Sequence, residues 1–194
     1  NSHIVFIGNT FAERLQCYNY FEPLLYKSFS DRDITVRNLG WSADEINIQS
    51  RPLNFPSQDE YLGRVKADII FACYGMNEAF KGTDSLDSFK QQLTAFLQHI
   101  QQQKYNGKTP PEIILVSPIA HENLGGLLPD GADHNRNLQL YTNGMGKVAK
   151  SLNIPFINLL EPTKKLAAGA DSITINGIHL NDAGYRAISE IMAA

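Results

Sequence analysis

The stretch FIGNTFAE, residues 6–13, joins the end of an apolar run to the start of a helix-like pattern. The run over residues 3–7 is mainly apolar and β-branched, and it stops at Gly8. A glycine after a strand, with a hydroxyl residue two positions later, can place a side-chain oxygen at the edge of a sheet. Thr10 therefore fits two roles, a nucleophile at that edge or a cap of the following helix.

Strand-like and helix-like segments alternate along the rest of the chain. The apolar patterns predict five strands, at residues 3–8, 34–39, 68–74, 112–119 and 155–160. Helical spacing predicts helices within residues 11–29, 57–66, 85–103, 135–152 and 182–193, with Ser57 and Asn181 as N-caps. This alternation predicts an α/β protein of three α/β/α layers, with a flavodoxin-like, doubly wound sheet of five parallel strands.

The composition indicates a globular chain with a substantial core. It has 194 residues, 43% of them hydrophobic, and no stretch resembles a linker, so we expect one domain over residues 1–194. A net charge of -3 and a pI near 5.9 argue against nucleic acid or an anionic membrane as a partner. No apolar run approaches the roughly 20 residues of a membrane span. Because the chain begins at Asn1 without Met, we expect a processed chain or an excised domain, and the compartment is not readable.

The cysteines and histidines show no metal-binding spacing. Cys17 falls in a predicted helix and Cys73 in a predicted strand, and we expect both to be buried free thiols. No arrangement of Cys and His residues matches the ligand spacing of a metal site. We therefore expect neither a metal nor an organic cofactor.

Polar residues follow several of the predicted strands. They form four segments, at residues 8–10, 38–42, 75–78 and 176–180. In an open parallel sheet, ligands bind beyond the carboxyl ends of the strands. The four segments would bring a hydroxyl, backbone amides, a carboxamide and an imidazole to one edge, which are the parts of a serine-hydrolase-type site.

These segments resemble the motifs of the SGNH, or GDSL-type, hydrolases. That family carries Gly-Asp-Ser after the first strand, a glycine in a second block, Gly-x-Asn-Asp after the third strand, and Asp-x-x-His before the last helix. The matching residues are GNT at 8–10, NLGWS at 38–42, GMNE at 75–78 and NGIH at 176–179. The resemblance covers nearly the whole chain, with the motifs in the family's order, and it implies the same fold and the same site location.

The resemblance also implies roles for particular residues. Thr10 stands at the nucleophile position, His179 at the general base, and Asn176 at the residue that orients the base. Gly40 and Asn77 stand at the positions of the oxyanion donors. The implied substrate is an ester, for example an acyl ester of a carbohydrate, and no metal or organic cofactor is implied.

Several residues depart from the family's pattern at positions that bear on catalysis. Thr10 replaces a serine, and its extra methyl group stiffens the side chain. Asn176 replaces an aspartate; it can accept a hydrogen bond from the imidazole but cannot supply a negative charge, and in serine proteases the same change costs about 10⁴ in turnover. The Asn176-Gly177 pair also fits a simple turn. Asn9 and Glu78 stand where the family has aspartates.

Two functional hypotheses follow from these residues. The first is an ester hydrolase with a Thr/His site, and the second is a catalytically weak or inactive module that binds a glycan or a small ester. The partner is then a small-molecule or carbohydrate ester in either case. A nucleotide-binding protein is disfavoured because no G-x-G-x-x-G follows the first strand. Candidate substrate contacts are Asn9, Trp41, Glu78 and His121.

Overall fold

Five parallel strands form one sheet in the computed structural model, which describes residues 2–193. The strands are β1 (Ser2–Gly8), β2 (Ile34–Asn38), β3 (Ile69–Cys73), β4 (Glu112–Val116) and β5 (Phe156–Ile157). Their order across the sheet is β2-β1-β3-β4-β5, and every neighbouring pair is parallel. This order confirms the predicted doubly wound, flavodoxin-like sheet.

Helices connect the strands and cover the sheet. They are α1 (Thr10–Arg14), α2 (Phe21–Ser28), α3 (Gln58–Arg64), α4 (Leu86–Gln102), α5 (Ala132–Ser151), α6 (Leu160–Ala167) and α7 (Asp182–Ala193). Two short 3₁₀ turns, Glu78–Lys81 and Thr83–Ser85, precede α4. Helix α2 packs on α7, and α4 packs on α5. Over residues 2–193, no helix has both the length and the apolar character needed to cross a bilayer.

The centre of the core lies on β1 and on its neighbour β3, the middle strand of the sheet. Val5, Ile7, Ile70 and Ala72 have no exposed surface, as expected for strands that are covered on both faces. Gly8 ends β1 where the chain passes so close to β3 that a Cβ atom would lie 2.0 Å from the Cys73 carbonyl oxygen. The turn that carries Thr10 therefore requires a glycine before it.

The structure modifies two sequence predictions near the fifth strand and the first helix. The predicted strand at residues 155–160 ends at Ile157, because the Asn158 side chain accepts the Leu160 N–H at 3.0 Å in a turn that leads into α6. The predicted helical region at 11–29 divides into α1 and α2, and Cys17 falls in the turn between them. Cys17 is therefore exposed, contrary to prediction.

The predicted fourth strand, residues 112–119, is shorter in the structure and ends at Val116. Several other local predictions agree with the structure. Ser57 forms a capping box with Glu60 at the start of α3, and the Gly184 N–H donates to Asn181 Oδ1 at 2.9 Å at the start of α7. Cys73 is a buried free thiol, and its burial raises the pKa of that thiol.

Candidate active site

Thr10 is the first residue of α1, and its hydroxyl faces the loop that follows β2. Asn9 caps the helix, because its side chain accepts the Phe11 N–H at 3.1 Å. Thr10 Oγ1 instead accepts the N–H of Ala43 at 3.2 Å. The capping role thus belongs to Asn9, which is only 4% exposed and is not available as the predicted substrate contact.

The amide beside the Thr10 hydroxyl belongs to Ala43 and not to Gly40. The Gly40 N–H donates to Asn38 Oδ1 at 2.9 Å, which leaves it engaged in a local turn. Gly40 has a packing role, since a Cβ atom there would lie 2.4 Å from the backbone nitrogen of Glu13. Ala43 adopts a left-handed conformation with φ 64, which turns its N–H toward Thr10. The backbone N–H that reaches Thr10 in this structure is therefore that of Ala43 and not that of the predicted Gly40.

Two buried carboxylates hold the loop that carries Ala43. Asp44 is 1% exposed and forms a bidentate pair with the Arg51 guanidinium, at 2.7 and 2.6 Å. Glu78 accepts the N–H groups of Ile46 at 3.1 Å and of Gly75 at 2.9 Å. Burial raises the pKa of both carboxyl groups, and Arg51 partly offsets this for Asp44.

These contacts correct the assignment of Glu78 as a candidate substrate contact. Its side chain is 3% exposed and faces the backbone of the loop, so it fixes the site's framework. Sequence reasoning missed Asp44 and Arg51 entirely, since nothing in their spacing distinguishes them from other surface charges.

Asn77 lies beside the same loop. Its Nδ2 donates to the Asp44 carbonyl oxygen at 3.2 Å. A carboxamide nitrogen carries two hydrogens, so one remains for another acceptor. Residues 43–44, which directly follow the 38–42 segment, thus contact both Thr10 and Asn77, so the first and third motif segments meet at this loop.

His179 lies on the loop between α6 and α7, and Asn176 fixes its protonation pattern. Asn176 Oδ1 accepts the backbone N–H of His179 at 3.1 Å and of Ile178 at 3.4 Å. Backbone N–H groups can only donate, so the oxygen of this amide must face them and Nδ2 must face the ring. Nδ2 lies 3.0 Å from His179 Nδ1 and donates to it. The neutral ring therefore carries its proton on Nε2.

The charge around His179 also favours a neutral ring. Burial lowers its pKa, and the nearby Arg14 cation lowers it further. Within residues 2–193, no carboxylate hydrogen-bonds this imidazole. A general base toward a hydroxyl needs a lone pair on Nε2 and a proton on Nδ1, which is the opposite arrangement.

Helix α7, which follows the His179 loop, contacts α1. The Tyr185 hydroxyl donates to the Phe11 carbonyl oxygen at 3.1 Å, and the two rings stack with centroids 5.9 Å apart. Thr10 and His179 nevertheless share no hydrogen bond, since the hydroxyl pairs with Ala43 and the imidazole with Asn176.

Glu122 anchors the start of the loop that leads to His179. Its carboxylate accepts the Ile173 N–H at 3.0 and 3.2 Å and the Thr174 hydroxyl, while its own N–H donates to the Gly177 carbonyl at 2.8 Å. The Thr174–Leu180 bridge closes the same segment. Asn176 and His179 therefore stand on a firmly tethered turn.

His121 packs under this turn and does not line an open cleft, which corrects its assignment as a candidate substrate contact. It is 8% exposed, its Nδ1 lies 3.1 Å from His134 Nδ1, and its ring contacts Gly177. His134 Nε2 in turn faces the Met76 carbonyl oxygen at 3.3 Å. Sequence reasoning gave no signal for His134, because this pair forms only through tertiary packing.

A cavity of about 340 Å³ lies beside the Gly40–Trp41 segment. Trp41 is 38% exposed, and the Arg51 guanidinium lies 4.4 Å from its ring centroid. The other lining residues come from α1 and the turn after it, from the end of β2 and the loop that follows, and from α3, among them Glu13, Gln16, Phe55, Gln58 and Tyr61. Of the candidate substrate contacts, Trp41 alone keeps an accessible position.

The site offers a hydroxyl, two amide donors and an imidazole that presents an N–H. In the part of the chain that the structure describes, no three His, Cys, Asp or Glu side chains are grouped to hold a metal ion. The arrangement can bind a carbonyl or hydroxyl oxygen through its donors, and it contains a hydroxyl that could attack an acyl carbon.

Solved structures with the same fold include three ester hydrolases. An acetylxylan esterase from Geobacillus stearothermophilus, Axe2, matches with 15% identity and a TM-score of 0.72, over 99% of this chain and 92% of that one. The acetyl xylan esterase AlAXEase matches with 19% identity and a TM-score of 0.66, over 98% and 97% of the two chains. A lipase/acylhydrolase from Enterococcus faecalis matches with 17% identity and a TM-score of 0.67, over 100% and 94%.

No curated protein sequence matches this chain significantly. A family model does match, over residues 7–187, and this range contains all four motif segments. The chain belongs to the GDSL-like lipase/acylhydrolase family.

Proposed function

We propose that this chain binds an acyl ester of a carbohydrate at the carboxyl edge of its sheet and hydrolyses it slowly, with Thr10 as the nucleophile. The observation that carries the proposal is that the Thr10 hydroxyl and the Asn77 amide both contact one anchored loop, at the Ala43 N–H and at the Asp44 carbonyl oxygen. Family membership and the structural likeness to esterases of acetylated xylan support an ester as the substrate.

In the proposed reaction, Thr10 Oγ1 attacks the acyl carbon and releases the sugar hydroxyl, and water then frees the acyl group from Thr10. Once Oγ1 has bonded to the acyl carbon, the Ala43 N–H would leave Oγ1 and donate to the neighbouring oxyanion, together with the second hydrogen of Asn77 Nδ2. One such donor typically contributes about 3 kcal/mol to the barrier reduction. His179 would take the proton from Thr10 and pass it to the leaving oxygen.

The proposed slowness comes from the proton on His179 Nε2. For Nε2 to accept a proton, the ring must carry its hydrogen on Nδ1, where it would face the Asn176 Nδ2 donor. Asn176 must then turn its oxygen toward the ring, which leaves the N–H groups of Ile178 and His179 facing an NH₂ group. Reaching the reactive tautomer therefore costs free energy in every turnover.

A second candidate function is a module that binds the same class of ester without turning it over. The specific observation in its favour is again the Asn176–His179 hydrogen bond, because an imidazole N–H on Nε2 suits ligand binding better than proton abstraction. The two candidates differ in whether Thr10 ever becomes acylated.

A fluorophosphonate probe followed by intact-mass measurement separates the candidates. We expect slow formation of a single adduct that maps to Thr10, faster formation with Thr10→Ser and Asn176→Asp combined, and none with Thr10→Ala. An adduct at another residue would refute Thr10 as the nucleophile. The absence of any adduct in the combined variant, with its fold intact, would also refute it and would favour the binding module.

A further inference from the structure

We propose that the cavity beside Trp41 is a subsite for a neutral pyranose unit, which holds the sugar part of the ester while the acyl group reaches Thr10. This inference rests on the proposed function and adds the place where the carbohydrate binds. The cavity measures about 340 Å³, at the lower end of the volumes typical of small-molecule sites, which suits one or two sugar rings.

The wall of the cavity is aromatic. Trp41 and Phe55 meet edge to face with ring centroids 5.4 Å apart, and Phe55 and Tyr61 lie at the same separation. Aromatic rings of this kind offer an apolar surface with polar edges, which matches the C–H faces and hydroxyl rims of a pyranose. Trp41 is 38% exposed, so its ring is accessible without a rearrangement of the loop.

The rim of the cavity is polar and carries planar groups. Gln16, Gln58 and Glu13 lie around it, and each has donors or acceptors spaced to bind neighbouring hydroxyl groups. Because loop contacts occupy part of Glu13 and Gln58, the exposed Gln16 is the freest of the three.

The charges of the cavity favour a neutral ligand. The guanidinium of Arg51 is neutralised by its bidentate pair with Asp44, and it also covers part of the Trp41 ring. Glu13 adds a carboxylate to the lining, and Arg51, the one cation among the described lining residues, is paired with Asp44. A phosphate or a uronate would meet this negative charge, whereas an uncharged sugar would not.

The cavity lies within reach of the Thr10 hydroxyl. Glu13 is three residues after Thr10 on α1, so the two side chains lie on one helix face, roughly 5–6 Å apart at Cβ. On the loop side, Trp41 lines the cavity and Ala43, two residues later, donates to Thr10 Oγ1. A sugar in the cavity would thus place an ester on one of its hydroxyls close to the nucleophile.

Trp41 is the one tryptophan in the sequence, so its fluorescence reports directly on the cavity. We would titrate the full chain with unesterified xylotetraose, cellotetraose and mannotetraose, and with tetragalacturonate as the anionic comparison. We expect a saturable emission change with at least one neutral oligosaccharide and none with tetragalacturonate at the same concentration. A response to tetragalacturonate alone, or to none of the four, would overturn the proposal.

Variants test whether the cavity itself is responsible. Tyr61→Leu keeps apolar bulk but removes a ring, and Gln16→Ala changes an exposed side chain, so neither should prevent folding. We expect each to raise the dissociation constant at least about tenfold, while Phe29→Ala, an exposed aromatic outside the cavity, leaves it unchanged. Equal affinity in all variants would refute the subsite.

The titration tests the sugar subsite independently of the proposed hydrolysis. Unesterified oligosaccharides bind without any reaction, so this titration does not depend on Thr10 chemistry. If the chain releases acetate from an acetylated oligosaccharide but does not bind the unesterified saccharides, the hydrolase function stands and the subsite is excluded. Saccharide binding without acetate release would support the subsite and exclude the hydrolase.

Discussion

Replacing Asn176 with aspartate should convert His179 into a working base. The carboxylate has the shape of the carboxamide, so one oxygen can keep the backbone N–H groups of Ile178 and His179. The other oxygen takes the place of Nδ2, 3.0 Å from His179 Nδ1, and accepts a hydrogen bond from the Nδ1–H group. The ring then presents a lone pair on Nε2, and the new negative charge raises the lowered pKa of His179.

The size of the effect follows from the hydrogen bonds involved. In the native chain, reaching the reactive tautomer leaves two backbone N–H groups without an acceptor, at about 1–2 kcal/mol each. The sum of about 2–4 kcal/mol corresponds to roughly 30- to 1000-fold in rate. The charge of the aspartate adds to this, and the combined gain stays within the roughly 10⁴-fold that the same exchange costs in serine proteases.

The assay is the hydrolysis of p-nitrophenyl acetate and of an acetylated oligosaccharide by native chain and Asn176→Asp. Asn123→Asp is the matched control, because it adds the same charge in a similar turn, where Asn123 accepts the Gly125 N–H at 2.9 Å. We expect a gain of at least tenfold for Asn176→Asp, none for the control, and loss of the gain on adding His179→Ala. A folded Asn176→Asp variant that hydrolyses no faster than native chain would refute the tautomer argument.

Three further predictions concern the framework of the site. Ala43→Gly should raise the free energy of unfolding by about 1 kcal/mol, since glycine adopts φ 64 without the side-chain strain of alanine, and a lower melting temperature would contradict this. Arg51→Ala should lower that free energy by about 3 kcal/mol in urea titrations, because it leaves the Asp44 carboxylate buried and unpaired; a loss below about 1 kcal/mol would show that water reaches it. Burial lowers the pKa of His134 in the folded chain to about 4. As the pH drops from about 6.5 toward 4, the unfolded chain therefore binds a proton at this imidazole that the folded chain does not bind, and the free energy of unfolding should fall. The raised pKa of Glu78 acts in the opposite direction, so the test compares native chain with His134→Gln. The variant should lose less of its free energy of unfolding over that pH range, and equal losses would exclude His134 as the cause.

The fold was predictable because its signals are local. The apolar run at residues 68–74 and the helical spacing at 85–103 each determine one element, and their alternation leaves few topologies. Helix α6 was missed because β5 has only two residues, and the apolar pair Leu159-Leu160 extends the strand pattern into the helix. The end of that strand depends on the turn in which Asn158 Oδ1 accepts the Leu160 N–H, which a hydrophobicity pattern does not reveal.

The location of the site was predictable, and its detailed contacts were not. The parallel strands β1 and β3 bring Thr10 and Asn77 to the carboxyl edge of the sheet, independently of the loop conformations. Which loop amide reaches Thr10 depends instead on the Asn38 turn and on the Asp44–Arg51 pair, which are tertiary contacts. A glycine at position 40 therefore looked like a donor, although its role is close packing on α1.

The tautomer of His179 is the point on which the proposed slow hydrolysis depends most directly. Long-range ¹H–¹⁵N NMR spectra of the imidazole, recorded near neutral pH on native chain and on His179→Gln for assignment, distinguish a protonated ring nitrogen from one with a lone pair. We predict a protonated Nε2 and an unprotonated Nδ1 in native chain, and the reverse in Asn176→Asp. A native ring with its proton on Nδ1 would contradict the account, because Asn176 would then already hold His179 as a base.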